Sequence, residues 1–256
     1  MSIDSDSDWK GLRAAGEVVR LTLEALQERA RAGVSTAELD AVAADLFARH
    51  SARSAPALVY GFPGTVLISV NDEVVHGVPG PRRLRRGDLV KLDVTVEKDG
   101  YFADAARTVV IEEDSASGGM AARRDVASSL RTCARAAFNE ALTVARAGHP
   151  VSRIGRIIER EVRRRGFHVV RALAGHGTGR SIHEEPQVPN YFERRQTDIL
   201  TEGLVIAIEP IISAGAGTVY EDADGWTIRT RDGSLAAHYE NTVVITKGEP
   251  MIVTAA

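Results

Sequence analysis

Four acids sit in stretches that otherwise have the composition of buried strand. Asp93 lies in Val90-Lys-Leu-Asp-Val-Thr-Val96 and Asp104 in Tyr101-Phe-Ala-Asp-Ala-Ala106. Glu209 lies in Leu204-Val-Ile-Ala-Ile-Glu-Pro-Ile-Ile212 and Glu240 in Ala237-His-Tyr-Glu-Asn-Thr-Val-Val-Ile245. Taking a carboxylate out of water without a partner is costly, so each of these acids needs one. Asp93 and Asp104 fall on strands expected at 89–97 and 101–111, either side of the turn signal Asp99-Gly100. A loop at Lys98-Asp99 sets the two acids directly opposite each other, and a loop at Asp99-Gly100 makes them diagonal neighbours. Either register leaves them roughly 5–8 Å apart on one face. Two carboxylates there repel, and one must be protonated unless a cation lies between them. A metal ion resolves this most simply; the bland alternative is that one acid points to solvent at the sheet rim. Glu240 alone reads as an ordinary strand-edge acid, but four such acids together do not. Pro210 confines its strand to a sheet edge or ends it.

Histidines supply the second chemical signal. His176 and His183 flank the glycine-rich segment Gly175-His-Gly-Thr-Gly-Arg-Ser-Ile-His-Glu-Glu-Pro186. Imidazole is a common ligand, and glycines let backbone approach an ion or substrate. His76, in Asn71-Asp-Glu-Val-Val-His-Gly-Val-Pro79, follows a strand and precedes a turn, a setting that is more often structural. His50, His149, His168 and His238 lack such a setting and read as surface or core residues. Other chemistries fail on inspection. His183-Glu-Glu-Pro186 has no second histidine at zincin spacing, and Gly175-x-Gly-x-Gly179 is neither a dinucleotide fingerprint nor a P-loop. There is no Gly-x-Ser-x-Gly elbow, and Cys133 lies on an amphipathic helix without a base motif nearby.

The elements that must position these residues alternate between helix and strand. A helix is expected at 9–32, closed by Gly33, and another from the capping-box pair Ser35 and Glu38 to about His50. A Pro/Gly-containing segment, 56–64, leads into a strand at 66–70. Residues 115–119, Ser-Ala-Ser-Gly-Gly, are the best linker candidate. Helical patterns follow at about 123–147 and 151–165. Ala30-Arg-Ala-Gly33 recurs as Ala145-Arg-Ala-Gly148, and at the same shift Leu89-Val90 returns as Leu204-Val205, each time running into an acid-bearing strand. The expectation is one catalytic domain, 1–256, of two similar α+β halves, about 9–115 and 121–256. Their acid-bearing strands then meet at a shared cleft.

Bulk composition narrows the class. Hydrophobic residues make up 44% and charged residues 26% of the 256 residues, the balance of an ordinary globular chain. A net charge of -3 gives no reason to expect binding to DNA or to a membrane surface. Arg82-Arg-Leu-Arg-Arg86 reads as a solvated basic loop. One cysteine excludes an internal disulfide, and the acidic N-terminal segment lacks the features of a signal peptide. With no long apolar run to span a bilayer, a cytoplasmic location is expected.

Together the motifs resemble those of the type I methionine aminopeptidases of the pita-bread fold, over nearly the whole chain from about residue 10. The carrying residues are Ser69-Val-Asn-Asp-Glu-Val-Val-His-Gly-Val-Pro79, Leu92-Asp-Val-Thr-Val96 with Asp104, the glycine-rich segment 175–186, Ile208-Glu-Pro210 and Tyr239-Glu-Asn-Thr242. The resemblance implies an α+β pita-bread fold, two pseudo-symmetric α/β halves around a central antiparallel sheet. It implies two divalent ions (Co, Mn, Fe or Zn) held by Asp93, Asp104, His176, Glu209 and Glu240, with Asp104 and Glu240 bridging. A water between the ions then attacks the first peptide carbonyl, removing the initiator methionine from nascent N-termini whose second residue is small. Glu209, His76 and His183 take the catalytic roles, and Phe62, Leu67, Ile182 and Trp226 form the methionine pocket beside the two histidines. Family members often carry cysteine where Leu67 stands. The resemblance also implies a monomer and leaves a transient ribosome contact open. Two rivals share the fold. Xaa-Pro aminopeptidases and prolidases usually carry an extra N-terminal domain and differ around the first glycine-rich histidine; metal-free binding relatives lose ligands, whereas this chain keeps all five.

Overall fold

The computed structural model describes residues 1–111 and 121–255, so the expected linker at 115–119 lies outside the described residues. Ser35 opens the second helix as its pattern requires: the Glu38 amide donates to the Ser35 hydroxyl at 3.2 Å, and the Ser35 amide donates to Glu38 at 2.7 Å. That capping box starts Thr36–Arg49, which ends at His50. The first helix, Asp6–Arg29, begins earlier than its apolar pattern, because Ser5 caps the Asp8 amide and Asp6 and Asp8 lie in the first turn. It ends at Ala30, ahead of Gly33.

The segment at 56–64 holds a short helix, Ala55–Tyr60, started by Ser54 with Pro56 in the first turn and stopped by Gly61 at φ 73°. The long helix, Ala121–Leu142, stops short of 147 because the Ala147 amide turns away to the Thr246 carbonyl at 2.9 Å. Ser152–Arg164 follows it.

Among the described residues all strand pairs are antiparallel. Leu89–Lys98 and Tyr101–Val110 form a hairpin in which Lys98 faces Tyr101 across Asp99 (φ 51°) and Gly100 (φ 82°). Both loop residues are left-handed, which suits an Asp-Gly two-residue turn. The loop decides the register: Asp93 faces Ala106 and Asp104 faces Thr95, so the two acids are diagonal. Leu67–Val70 pairs on the other side of the Leu89–Lys98 strand, setting Leu67 directly opposite Asp93.

A second sheet orders Met251–Ile252, Asn241–Val244, Val205–Ile208, Ala174–Gly177 and Glu184–Pro189 side by side. The two sheets are sewn together where Ala106 and Glu240 exchange backbone bonds and the Asp104 amide donates to the Thr242 hydroxyl at 2.9 Å.

Each sheet has its own helical cover. Leu12, Val19, Leu26 and Leu39 pack against Leu92, Val94 and Val96. Leu130, Phe138, Ile154 and Ile158 pack against Ile206, Ile208 and Val243. Side chains alternate along a strand, so seating Leu92, Val94 and Val96 under the helices turns Asp93 and Thr95 to the opposite face. That opposite face carries the chemistry. Among the described residues no helix is long and apolar enough to cross a membrane.

Candidate metal centre and active site

Asp93 and Asp104 reach the uncovered face of the first sheet by strand alternation alone. Glu209 and Glu240 arrive differently. The strand Val205–Ile208 stops before Pro210, which has no N–H to continue the ladder, and the chain resumes as Ile211–Ser213 in another sheet. Ala236–His238 and Asn241–Val244 break in the same way around Glu240. These two broken strands pair before and after the break, Ile211 with His238 and Ile208 with Asn241. The two glutamates therefore sit side by side where the chain changes sheets. Asn190 steadies one of them by donating its side-chain amide to the Glu209 carbonyl at 2.9 Å.

His176 joins them from the Ala174–Gly177 strand. Its Nε2 lies 3.5 Å from Asp104 Oδ2 and 3.6 Å from Glu209 Oε1. Its Nδ1 lies 2.9 Å from the Gly177 carbonyl. A carbonyl only accepts, so Nδ1 carries the proton and the Nε2 lone pair faces the carboxylates. That is the orientation a metal-ligating imidazole needs. Asp104 is held in turn by the Thr242 hydroxyl, which lies 2.7 Å from Oδ1.

The electrostatics fit a cation. Asp104, Glu209 and Glu240 are buried, at 3, 8 and 3% exposure, and Asp93 is nearly so. Burial pushes the carboxyls of Asp93, Glu209 and Glu240 above their ordinary range, and the charge of Asp104 adds to this in all three. Without a counter-charge the cluster favours protonated acids. A donor set of four carboxylates and an imidazole takes up divalent cations and removes that conflict. The chemistry of the donors therefore fits a metal centre.

The catalytic histidines of the sequence reading border the same space. Both keep solvent contact, but burial of the ring pushes each imidazole down to about 4, helped by His238 for His76 and by His176 for His183. His76 sits at φ 60°, just past the strand Glu73–Val75. His183 stacks edge-on to His176, with ring centres 4.3 Å apart, and its Nδ1 meets the Tyr60 hydroxyl at 2.6 Å. Phe62, Leu67, Ile182 and Trp226 line a cavity of about 190 Å³ together with these histidines and the acids. Phe62 meets Trp226 edge-to-face at 5.2 Å.

Sequence reasoning missed two residues. Tyr60 carries no motif of its own and reaches His183 from the end of the short helix that Ser54 caps. His238, expected to be an ordinary surface or core histidine, is buried, but among the site residues. It is 2% exposed, lines the same cavity and faces Asp93, Glu209 and Glu240. Its place two residues before Glu240 was the available signal. Of the basic loop, Arg82 pairs with Glu73 at 2.6 Å and Arg83 with Glu38 at 3.3 Å, so its charge is partly balanced within the chain.

Comparison with known proteins decides the family. The model of metallopeptidase family M24 matches residues 10–247. The chain belongs to metallopeptidase family M24. This M24 chain is 40% identical over 256 residues to methionine aminopeptidase 2 of Bacillus subtilis, covering 99% of both proteins. It superposes on the crystal structure of methionine aminopeptidase from Thermotoga maritima with TM-score 0.92 and 30% identity, covering 100% of both chains. The prolidase from Pyrococcus furiosus shares the fold at TM-score 0.75 and 22% identity, but the M24 chain spans only 65% of that longer protein. The α+β pita-bread expectation thus holds, in helices and antiparallel sheets alike.

Proposed function

We propose that this chain is a methionyl aminopeptidase, hydrolysing the first peptide bond of nascent polypeptides that begin with methionine. The observation that carries the reading is the convergence of Asp93, Asp104, His176, Glu209 and Glu240 beside an apolar cavity, in a chain that aligns end to end with methionine aminopeptidases. Those five residues would hold two divalent ions, with Mn, Fe, Co and Zn all compatible with the donors. When bound, the ions acidify water and polarise the carbonyl. The substrates are N-termini with a small second residue, met as a monomer in the cytoplasm.

The chain's own groups do the rest. Glu209, which lines the cavity among the other acids, takes the proton of the attacking water. Tyr60 Oη meets Nδ1 of His183; in the Nε2-protonated tautomer Tyr60 donates to Nδ1 and Nε2–H donates to the developing oxyanion. His76, on the rim of the same cavity, lies near the scissile nitrogen. Phe62, Leu67, Ile182 and Trp226 exclude water from the methionine side chain. Burying that side chain contributes roughly 1.5–3 kcal/mol, about one to two decades in kcat/KM over a small first residue.

The test is release of the first residue from Met-Ala-Ser, its Ala- and Val-initiated counterparts, and Xaa-Pro peptides, with and without chelator. Metal-dependent release from Met-Ala-Ser, well above the others, is expected. Activity indifferent to exhaustive chelation sinks the metal mechanism, and equal cleavage of Ala or Val peptides sinks the methionine assignment. Preference for Xaa-Pro would make the chain a prolidase relative in function as well as fold.

A further inference from the structure

Among the described residues, the imidazole of His238 has no hydrogen-bond partner. Both ring nitrogens are fully buried, and neither has a partner. A buried polar atom left unsatisfied costs about 1–3 kcal/mol, and such atoms in a folded protein call for an explanation. The ring is not loose. The strand Ala236–His238 pairs with Ile211–Ser213, and Thr108 clamps the His238 backbone on both sides: the His238 amide donates to its hydroxyl at 2.9 Å, and the hydroxyl donates back to the carbonyl at 2.7 Å.

The imidazole is aimed into the acid cluster. Nε2 stands 3.4 Å from Glu209 Oε2 and 3.6 Å from Glu240 Oε2, and Nδ1 stands 4.0 Å from Asp93 Oδ2. These spacings are too long for N–H···O bonds, which lie at about 2.7–3.2 Å. They suit donors sharing an ion: two atoms each about 2.1 Å from one ion at a tetrahedral angle are about 3.4 Å apart. The His176 nitrogen keeps the same spacing, 3.5 and 3.6 Å, to its own carboxylates. Donor atoms of Asp93, His238 and Glu240 cluster tightly enough to hold one ion, as those of Asp104, His176 and Glu240 do, and Glu240 belongs to both groups.

We infer that His238 is a sixth protein ligand of the metal centre, grouped with Asp93 and Glu240, so that each of two half-sites holds one imidazole. The inference rests on the metal-centre reading above and adds a donor to it. It also has a selectivity consequence. An added imidazole favours Zn, Co and Fe over Mn and Mg, which prefer oxygen donors.

Cobalt loading tests this without reference to activity. In the Co(II)-loaded protein, proton NMR should show two strongly shifted, exchangeable imidazole N–H resonances, one from His176 and one from His238. His238→Gln should keep one of them. Removing even an outer partner of a metal ligand typically costs about 10–100-fold in affinity, so His238→Gln should weaken Zn(II) binding at one half-site by at least about tenfold. Calorimetry should show a smaller loss for Mn(II).

A wild-type spectrum with a single shifted imidazole N–H, alongside full cobalt occupancy, overturns the inference and leaves the five-residue centre intact. So does a folded His238→Gln protein with unchanged stepwise Zn(II) affinities. Wild-type protein that takes up no cobalt overturns the metal centre itself. The wild-type spectrum decides the matter even if the variant does not fold.

Discussion

At the scale of single residues, the site separates groups that hold charge from groups that move protons. His76 and His183 have depressed pKa values and are neutral near pH 7, so each can donate or accept a hydrogen bond without adding positive charge beside a metal. Alanine at either should lower kcat by about 10²–10⁴-fold while metal content stays near wild type. Metal analysis of the purified variants checks this, and loss of metal from His183→Ala would move that residue into the coordination shell. Thr242 acts one step further out. It holds Asp104 through Oδ1 and through the backbone amide and carbonyl. Thr242→Val keeps the shape and removes the hydroxyl, and metal affinity should fall by about 10–100-fold. An unchanged calorimetric titration would show that Asp104 needs no such support. Leu67, opposite Asp93 in the register, explains how an apolar pocket can adjoin a charged centre: one strand pair supplies both.

At the scale of elements, local signals place the supports and long-range pairing places the site. The Ser35–Glu38 box sits far from the acids but anchors a helix whose Leu39 and Phe47 pack in the first core. Ser35→Ala should therefore lower stability by about 1 kcal/mol, within the roughly 0.5–2 kcal/mol seen for such caps, and leave KM unchanged. Denaturant unfolding and steady-state kinetics on the same preparation separate the two effects. A drop in kcat/KM without a drop in stability would contradict the assignment. The Asp99-Gly100 loop has the opposite character. It does not line the cavity, yet it chooses between the two registers open to Asp93 and Asp104, and a one-residue change in loop position shifts their pairing.

At the scale of the whole molecule, the metal-stripped cleft works against folding. Asp93, Glu209 and Glu240 are driven toward the protonated state by burial and by the charge of Asp104. A carboxyl whose folded pKa lies above its unfolded value stabilises the fold below the unfolded pKa. That contribution is lost as pH rises through the folded pKa. Stability of metal-stripped protein should therefore decline as pH rises from the ordinary carboxylate range toward neutrality and beyond, relative to the metal-loaded form. Loading metal should raise Tm, by an amount that grows with metal concentration over Kd. Scanning calorimetry at a series of pH values reads both effects. Equal Tm for the two forms at every pH would mean the acids do not face a shared cation site.

Much of this was legible in the chain itself. Apolar runs interrupted by single acids announce buried carboxylates, because a charge in a buried strand is too costly to be incidental. The spacing of Gly175, His176 and His183, the Asp99-Gly100 turn and the Ser35–Glu38 cap are all local, and local signals survive without a structure. The repeat of two halves anticipated a shared cleft; what lay beyond reach was its geometry. Alternation along a strand says that Asp93 leaves the helical face, but not that Glu240 meets it from a strand more than a hundred residues on. The register was left with two solutions because only the folded loop selects one. His238 looked ordinary because one buried histidine is the same letter whether it hydrogen-bonds in a core or stands unpaired before three carboxylates. That difference depends on which groups surround the ring, and only the packing of one sheet against the other brings them there.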